Sequence, residues 1–408
     1  MKILLVNKFH YLKGGSEKYY FELGDLLKEH GHEVAYFSME DEKNLKTCQK
    51  EYFVKSIDLN KGSKLKALDV IYSKENYKKM IEAIEDFKPD IIHLNNFQRQ
   101  LSASIVKAAN KKKIPLVFTA HDVQAICPAI SMLDHDNEIC ERCIRGKYFN
   151  CFRKKCIKDS TLKSLLGAIE GKYYRINKVY KSKIDYIITP SNFYKLKMIE
   201  DGQNEKNIDF IHNYIKIEDY NLNTEDNGYA LYFGRLSKEK GILNLIYAFK
   251  NLINTDKTLR LYIAGRGPEE ENIREIIKNN NLEENIKLLG FLNSNQVKEY
   301  IRKCSFVVIP SIWYENCPYS ALETQAIGKP IIGSDLGGIP ELVKNEENGL
   351  IYKYNDINQL AEAMRKLYYD KDLRDAYGKN AKEYAKKEYD QERYYKKIME
   401  IYTNVLNK

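Results

Sequence analysis

No stretch of this 408-residue chain approaches the ~20 consecutive apolar residues that a membrane-crossing helix needs. The amino-terminal run Met1-Lys2-Ile3-Leu4-Leu5-Val6-Asn7 has too short an apolar part for a secretory signal and reads as a buried first strand. A cytoplasmic protein is the expectation. The dinucleotide fingerprint is missing too. The first strand leads into no Gly-x-Gly-x-x-Gly, and Gly265-Arg266-Gly267 lacks the third glycine, which disfavours a nicotinamide enzyme. No Asp-x-Asp pair stands near a strand that would carry a donor, so no catalytic Mg²⁺ is implied. Disulfides are not expected in a cytoplasmic chain, and nothing pairs the eight cysteines with a base for thiol catalysis. What is present is ordinary for a globular protein of two or three domains: 43% hydrophobic, 30% charged, net charge +9.

Short apolar runs alternate with helical patterns throughout. They fall at 3–6, 33–37, 90–94, 115–119 and 186–189, then at 229–233, 259–264, 286–289, 306–309 and 330–333. Such alternation predicts two doubly wound parallel sheets. Asp209 to Asn213 ends a strand, and the polar segment from Lys216 to Asn227 reads as an interdomain linker. The last stretch, 392–406, has the apolar spacing of a helix.

Four strand ends in the second half carry chemistry. Glu315 and Glu323, with seven residues between them, follow the strand Phe306-Val307-Val308-Ile309, so a loop and a helix start would aim two acceptors beyond the strand's carboxyl end. Two exposed glutamates on a helix would read the same way. Upstream, Tyr229 to Phe233 runs into Gly234-Arg235-Leu236-Ser237-Lys238-Glu239-Lys240-Gly241 and then a helix, the parts of an anion site or else of a solvated loop. Ala264-Gly265-Arg266-Gly267-Pro268 and Gly337-Gly338-Ile339-Pro340-Glu341 are further glycine turns after strands.

Together these motifs resemble the large GT4 family of retaining glycosyltransferases over nearly the whole chain. Leu12-Lys13-Gly14-Gly15-Ser16-Glu17 and Thr119-Ala120-His121-Asp122 match in the first half. The resemblance implies the GT-B fold, two Rossmann-like domains facing a central cleft. Residues 1–213 would form the acceptor domain and 214–389 the donor domain, with a helix over 390–408 returning to the first. It implies that Arg235 and Lys240 hold the donor diphosphate, that Glu323 accepts from the ribose hydroxyls, and that Glu315 contacts the transferred sugar. His121 would face sugar and phosphate, and Gly14 and Gly15 would let the chain approach donor and acceptor, with Glu17 bonding an acceptor hydroxyl. Gly265, Gly267, Phe291, Asn316, Cys317, Tyr319 and Ser320 complete the expected donor site. Cations on the leaving diphosphate are the expected catalytic device. Glu315 would act by position and charge rather than as a covalent nucleophile. The expected partners are a nucleoside-diphosphate sugar and a saccharide or lipid-linked saccharide, in cell-surface polysaccharide or lipopolysaccharide synthesis.

An inserted region near 127–183 stands apart. From Glu141 to Lys183 there are thirteen Lys and Arg against three acids, interleaved with Leu162, Leu165, Leu166, Ile169, Tyr173, Tyr174 and Ile176. Such a block can lie on an anionic membrane surface, or be a solvated helix face. Nucleic acid is disfavoured, because no recognition module accompanies the charge. Within it Cys140-x2-Cys143 and Cys151-x4-Cys156 have the count and approximate spacing of a structural Zn²⁺ site, with Cys127 as a substitute ligand. Two other readings of the chain stay open. One is a GT-B enzyme of another kind, an inverting transferase or a nucleotide-sugar epimerase, told apart by product configuration. The other is a binding module with an idle donor pocket, in which substituting Arg235 or Glu315 changes nothing.

Overall fold

The computed structural model describes residues 1–56 and 69–408 and divides into two compact units. One comprises Met1–Ile211 with Tyr394–Lys408, the other His212–Arg393.

The first unit holds a seven-stranded parallel sheet of β1 (Lys2–Val6), β2 (Glu33–Met39), β3 (Lys50–Val54), β4 (Ile91–Leu94), β5 (Leu116–Thr119), β6 (Tyr186–Thr189) and β7 (Ile208–Phe210), in the order β3-β2-β1-β4-β5-β6-β7. Helices cover both faces, which is why β1 is apolar at every buried position, and β4 at all but His93, rather than alternating. The helix Gln391–Leu406 belongs to this unit through most of its length. Tyr394 bonds Tyr19, Tyr395 stacks on His30 with centroids 3.6 Å apart, and Tyr402 bonds His93. His93 is fully buried between the Tyr402 hydroxyl at 2.6 Å and Thr119 Oγ1 at 2.8 Å, a structural role.

The second unit holds β8 (Tyr229–Phe233), β9 (Arg260–Ala264), β10 (Ile286–Gly290), β11 (Phe306–Ile309), β12 (Ile331–Ser334) and β13 (Gly349–Tyr352), all parallel, in the order β10-β9-β8-β11-β12-β13. Successive residues of a strand point to opposite faces. Ala230, Tyr232, Phe306 and Val308 therefore enter one core, and Tyr229, Leu231, Val307 and Ile309 enter the other. The segment expected as a linker, Lys216 to Asn227, is pinned to this unit instead. Three of its residues are held there: Glu225 N–H donates to the Arg302 carbonyl, Asp226 pairs with Arg374 at 2.6 Å, and Tyr220 is buried.

In each sheet the chain reverses direction of winding between two neighbouring strands, β1 and β4 in the first and β8 and β11 in the second. Those switch points, beyond the carboxyl ends of the strands, are where open parallel sheets leave a crevice for ligands.

Candidate active site

The crevice of the second sheet is built by glycines that let successive loops mesh. Gly241 has φ 67°, and a Cβ there would stand 1.9 Å from the Pro310 carbonyl oxygen, so only glycine allows the loop after β8 to touch the loop after β11. Gly265 is as tightly placed, with φ 143° and a hypothetical Cβ 1.8 Å from the Gly234 oxygen. Backbone bonds follow the same line. Leu236 N–H donates to the Arg266 carbonyl at 3.0 Å, and Gly265 N–H to that of Gly290 at 2.7 Å. The Glu315 carbonyl accepts from Gly338 N–H at 2.7 Å, which ties the loops after β11 and β12.

Across the switch point Lys240 Nζ lies 2.6 Å from Glu315 Oε1, and the Ser311 hydroxyl donates to the same oxygen at 2.6 Å. The ammonium also lies 5.2 Å from the centre of the Trp313 ring. Glu315 is only 6% exposed. Burial works to raise its pKa, but the Lys240 charge and the two hydrogen bonds outweigh it and hold the carboxyl below the usual carboxylate range. The result is a fixed anion beside a cation that still has N–H groups to offer.

The other expected donor groups surround this pair in sequence and loop position. Arg235 is exposed on the loop after β8, with its carbonyl held by the Tyr232 hydroxyl at 2.8 Å. Gly267 lies in the turn after β9, where a Cβ would meet the Leu236 carbonyl oxygen at 2.1 Å, and Phe291 is 70% exposed after β10. Asn316, Cys317, Tyr319 and Ser320 form the entry to the helix Tyr319–Ile327, whose Pro318 cap offers no side-chain acceptor to the first N–H groups. The Cys317 carbonyl accepts from the Asn213 amide at 3.1 Å, and burial pushes its thiol up to about 12, so it is no nucleophile at neutral pH. Glu323, half-buried on that helix, accepts from the Tyr220 hydroxyl at 3.2 Å.

In the first unit, the loop after β5 carries His121. Its Nε2 lies 3.0 Å from Asn95 Oδ1, an arrangement that puts the proton on Nε2, and the Tyr19 ring packs on it edge to face at 4.6 Å. Burial lowers its pKa to about 3, so the ring is neutral at physiological pH. Gly14 caps the helix Gly15–Glu29 in an extended conformation with its nearest foreign atom 3.6 Å from a Cβ, so packing alone does not demand glycine there. Glu17 is 3% exposed and its Oε1 accepts from Asn7 and Ser16, so it braces the β1 loop rather than standing open to an acceptor. Around it stands a group of half-buried and buried charges that sequence reasoning missed. Lys8 faces Asp122 and Glu17, while Glu170 accepts from Arg99 N–H at 2.9 Å with the Arg99 guanidinium 3.8 Å away. Lys8 gives a faint signal in sequence, two residues past a strand end. Glu170 and Arg99 give none, since lone charges far apart in the chain carry no spacing.

The insertion's Asp134, His135 and Asp136 have ligand atoms within 4.8 Å of one another. They form an Asp-x-Asp in the first unit, and Asp134 is occupied in closing a hairpin by accepting from Asp136 and Glu138 N–H.

A family model described as Glycosyltransferase Family 4 matches residues 13–219, and one described as Glycosyl transferases group 1 matches 215–384. An uncharacterised glycosyltransferase of Methanocaldococcus jannaschii is 28% identical over 95% of this chain and 94% of its own length. A colanic acid biosynthesis glycosyltransferase of Escherichia coli, WcaL, is 30% identical over 32% of this chain and 33% of its own. Among solved structures, HepE of Anabaena in complex with UDP and glucose superposes with TM-score 0.69 at 18% identity, covering 98% of each chain. With two parallel-sheet units and family models that together match residues 13–384, the chain has the GT-B fold and belongs to the group 1, family 4 glycosyltransferases.

Proposed function

We propose that the protein moves a sugar from a nucleoside diphosphate to a hydroxyl of a saccharide or lipid-linked saccharide, with retention of anomeric configuration, in cell-surface polysaccharide or lipopolysaccharide synthesis. The observation that carries this reading is the Lys240–Glu315 pair at 2.6 Å across the switch point of the second sheet. Arg235 and Lys240 hold the diphosphate and neutralise the charge that grows as the bond from C1 to phosphate oxygen breaks. The amides entering the helix Tyr319–Ile327 add donors, Glu323 accepts from the ribose hydroxyls, and Glu315 accepts from the sugar. The acceptor hydroxyl attacks C1 on the side from which phosphate departs, and its proton passes to the departing phosphate oxygen, so no covalent glycosyl-enzyme is needed. His121, neutral, serves as a hydrogen-bond partner rather than as a cation. The side chains supply the positive charge, and no catalytic metal enters the reading.

The acceptor is the kind of molecule handled by the polysaccharide-building relatives. No helix among the described residues is long and apolar enough to cross a membrane. The protein is read as cytoplasmic, held at the inner membrane face by the basic insertion. Leu162, Ile169 and Ile176, seven residues apart on the helix Thr161–Ile176, are 65%, 41% and 67% exposed, and Arg153, Lys154, Lys155 and Lys158 are exposed just before it. An apolar stripe with cations beside it suits anionic lipid.

The test is a donor screen in which purified protein meets UDP-, GDP- and ADP-sugars and nucleotide release and thermal shift are read. One donor should be hydrolysed or transferred, and Arg235→Ala and Glu315→Ala should each lower turnover by roughly 100-fold or more. A product of inverted configuration, or turnover unchanged in both variants, would defeat the reading. Sedimentation with phosphatidylglycerol vesicles, lost in Leu162→Asp/Ile169→Asp, tests the membrane arm.

A further inference from the structure

Five of the eight cysteines converge in the insertion of the first unit, although the chain spreads them over thirty residues. Cys127 follows the short helical turn Val123–Ala125, with its N–H donating to the Val123 carbonyl at 2.8 Å. Cys140 closes the hairpin begun at Met132, whose carbonyl it bonds at 2.8 Å. Cys143 and Cys151 are buried in one small core with Tyr148 and Ala168, and Cys156 packs against it. All five are free thiols. Each of Cys127, Cys143, Cys151 and Cys156 interacts electrostatically with the other three, and the Cys151 and Cys156 thiols are hydrogen-bonded to each other. Cys140 is near enough to Cys127 and Cys143 to act on their charge.

Backbone donors reach two of the sulfurs. The Cys127 sulfur accepts from the N–H groups of both Ala129 and Met132, and the Cys143 sulfur from that of Cys151. A thiol is a weak acceptor, whereas a thiolate is stabilised by such donors. Four or five apolar-packed thiolates cannot coexist without a cation, and a soft divalent ion held by sulfur is the one this composition selects. The region also lacks other means of support. Between the short turn at Val123–Ala125 and the helix starting at Thr161 there is only a two-residue bridge, one 3₁₀ turn and a five-residue helix. Seven non-glycine residues there have positive φ, among them the β-branched Ile130 at 74°. A cross-link of high coordination number would hold such a segment in one conformation.

We infer that this pocket is a structural zinc site, in which four of the five thiolates of Cys127, Cys140, Cys143, Cys151 and Cys156 bind one Zn²⁺ and the fifth is surplus. Each ligating thiol gives its proton to solvent as the Zn–S bond forms. Among the described residues the one trio of ligand atoms within 4.8 Å is the Asp134 group, so the sulfurs must draw together to the about 3.8 Å separation of a tetrahedral Zn–S site. The acidic trio is a hard-ligand hairpin with Asp134 already engaged, and carries no proposal. The inference does not depend on which sugar is transferred. Its link to the active site is position, because Cys127 lies six residues past His121, and the metal would fix the segment leading away from that loop.

The test uses the full chain purified under reducing conditions without chelator. Elemental analysis should find about one zinc per chain and no stoichiometric iron. A mercurial that takes up the four ligating thiols as Hg–S bonds should release the metal, which a zinc dye then reports. Among the five Cys→Ser variants, exactly one should keep the full metal content, while Cys48→Ser serves as the outside control. Folded, reduced protein that holds no zinc and exposes all eight thiols once denatured would overturn the proposal. So would stoichiometric iron, a Cys151–Cys156 disulfide found by mass spectrometry in protein prepared under reducing conditions, or full zinc retained by two or more of the variants.

Discussion

His93 Nδ1 lies 2.6 Å from the Tyr402 hydroxyl, joining the centre of the first sheet to a helix more than 300 residues further along the chain. Burial, with His121 nearby adding a smaller push in the same direction, lowers the His93 pKa to about 3. The unfolded chain binds a proton near pH 6.5 that the folded one refuses, so stability is fully present above that value and is lost as pH falls from 6.5 toward 3. From pH 7 to pH 5 the loss should be about 2 kcal/mol from this one residue. Urea denaturation at both pH values, compared with His93→Asn, checks it. The variant should be less stable at pH 7 but show a flatter pH dependence.

Glu170 has the opposite sign. Burial raises its pKa to about 7 despite Arg99 and Lys8, so the folded state holds the proton more tightly than the unfolded one. Stability attributable to it is present below pH 4.5 and is lost as pH rises through 7. Between pH 5 and pH 8 wild type should lose about 2 to 3 kcal/mol relative to Glu170→Gln, which keeps an acceptor for Arg99 N–H without the charge. Paired denaturation curves would expose an absence of that divergence.

Removing the Lys240 partner leaves Glu315 buried with no compensating cation. Lys240→Met should cost about 3 to 5 kcal/mol, whereas Lys240→Met/Glu315→Leu should recover much of it, since the pair's burial is costly in itself. Calorimetry on the three proteins decides this. Both variants should lose turnover if the pair handles the donor.

Gly265→Ala should destabilise the second unit by several kcal/mol, because the new Cβ would overlap the Gly234 carbonyl in a conformation alanine avoids. Gly14→Ala, with open space and an extended backbone, should cost about 1 kcal/mol at most. Thermal melts of both variants measure the contrast.

The interior strands were legible because parallel strands covered on both faces are continuous apolar runs, as in Ile3-Leu4-Leu5-Val6 and Phe306-Val307-Val308-Ile309. The edges were not. β3, Lys50-Glu51-Tyr52-Phe53-Val54, is half-exposed and carries two charges, and β13 begins with a glycine, so both look like loop. The loops at the switch point of the second sheet announced themselves through glycines that no other residue can replace. Glu315 was visible by its company of motifs, while its neutralising contacts with Lys240 and Ser311 emerge only when loops from separate strands meet. Lys8, Arg99 and Glu170 stayed hidden because a buried charge is recognised by its three-dimensional partners, which spacing does not record.

Residues 394–408 complete the unit that the amino terminus begins, so the second unit is, in chain order, an insertion into the first. During synthesis the earlier-made lobe must therefore wait, lacking the tyrosines that cap Tyr19, His30 and His93, until everything between has left the ribosome. A chain cut short near its end would forfeit the older lobe's closing helix while leaving the younger one whole.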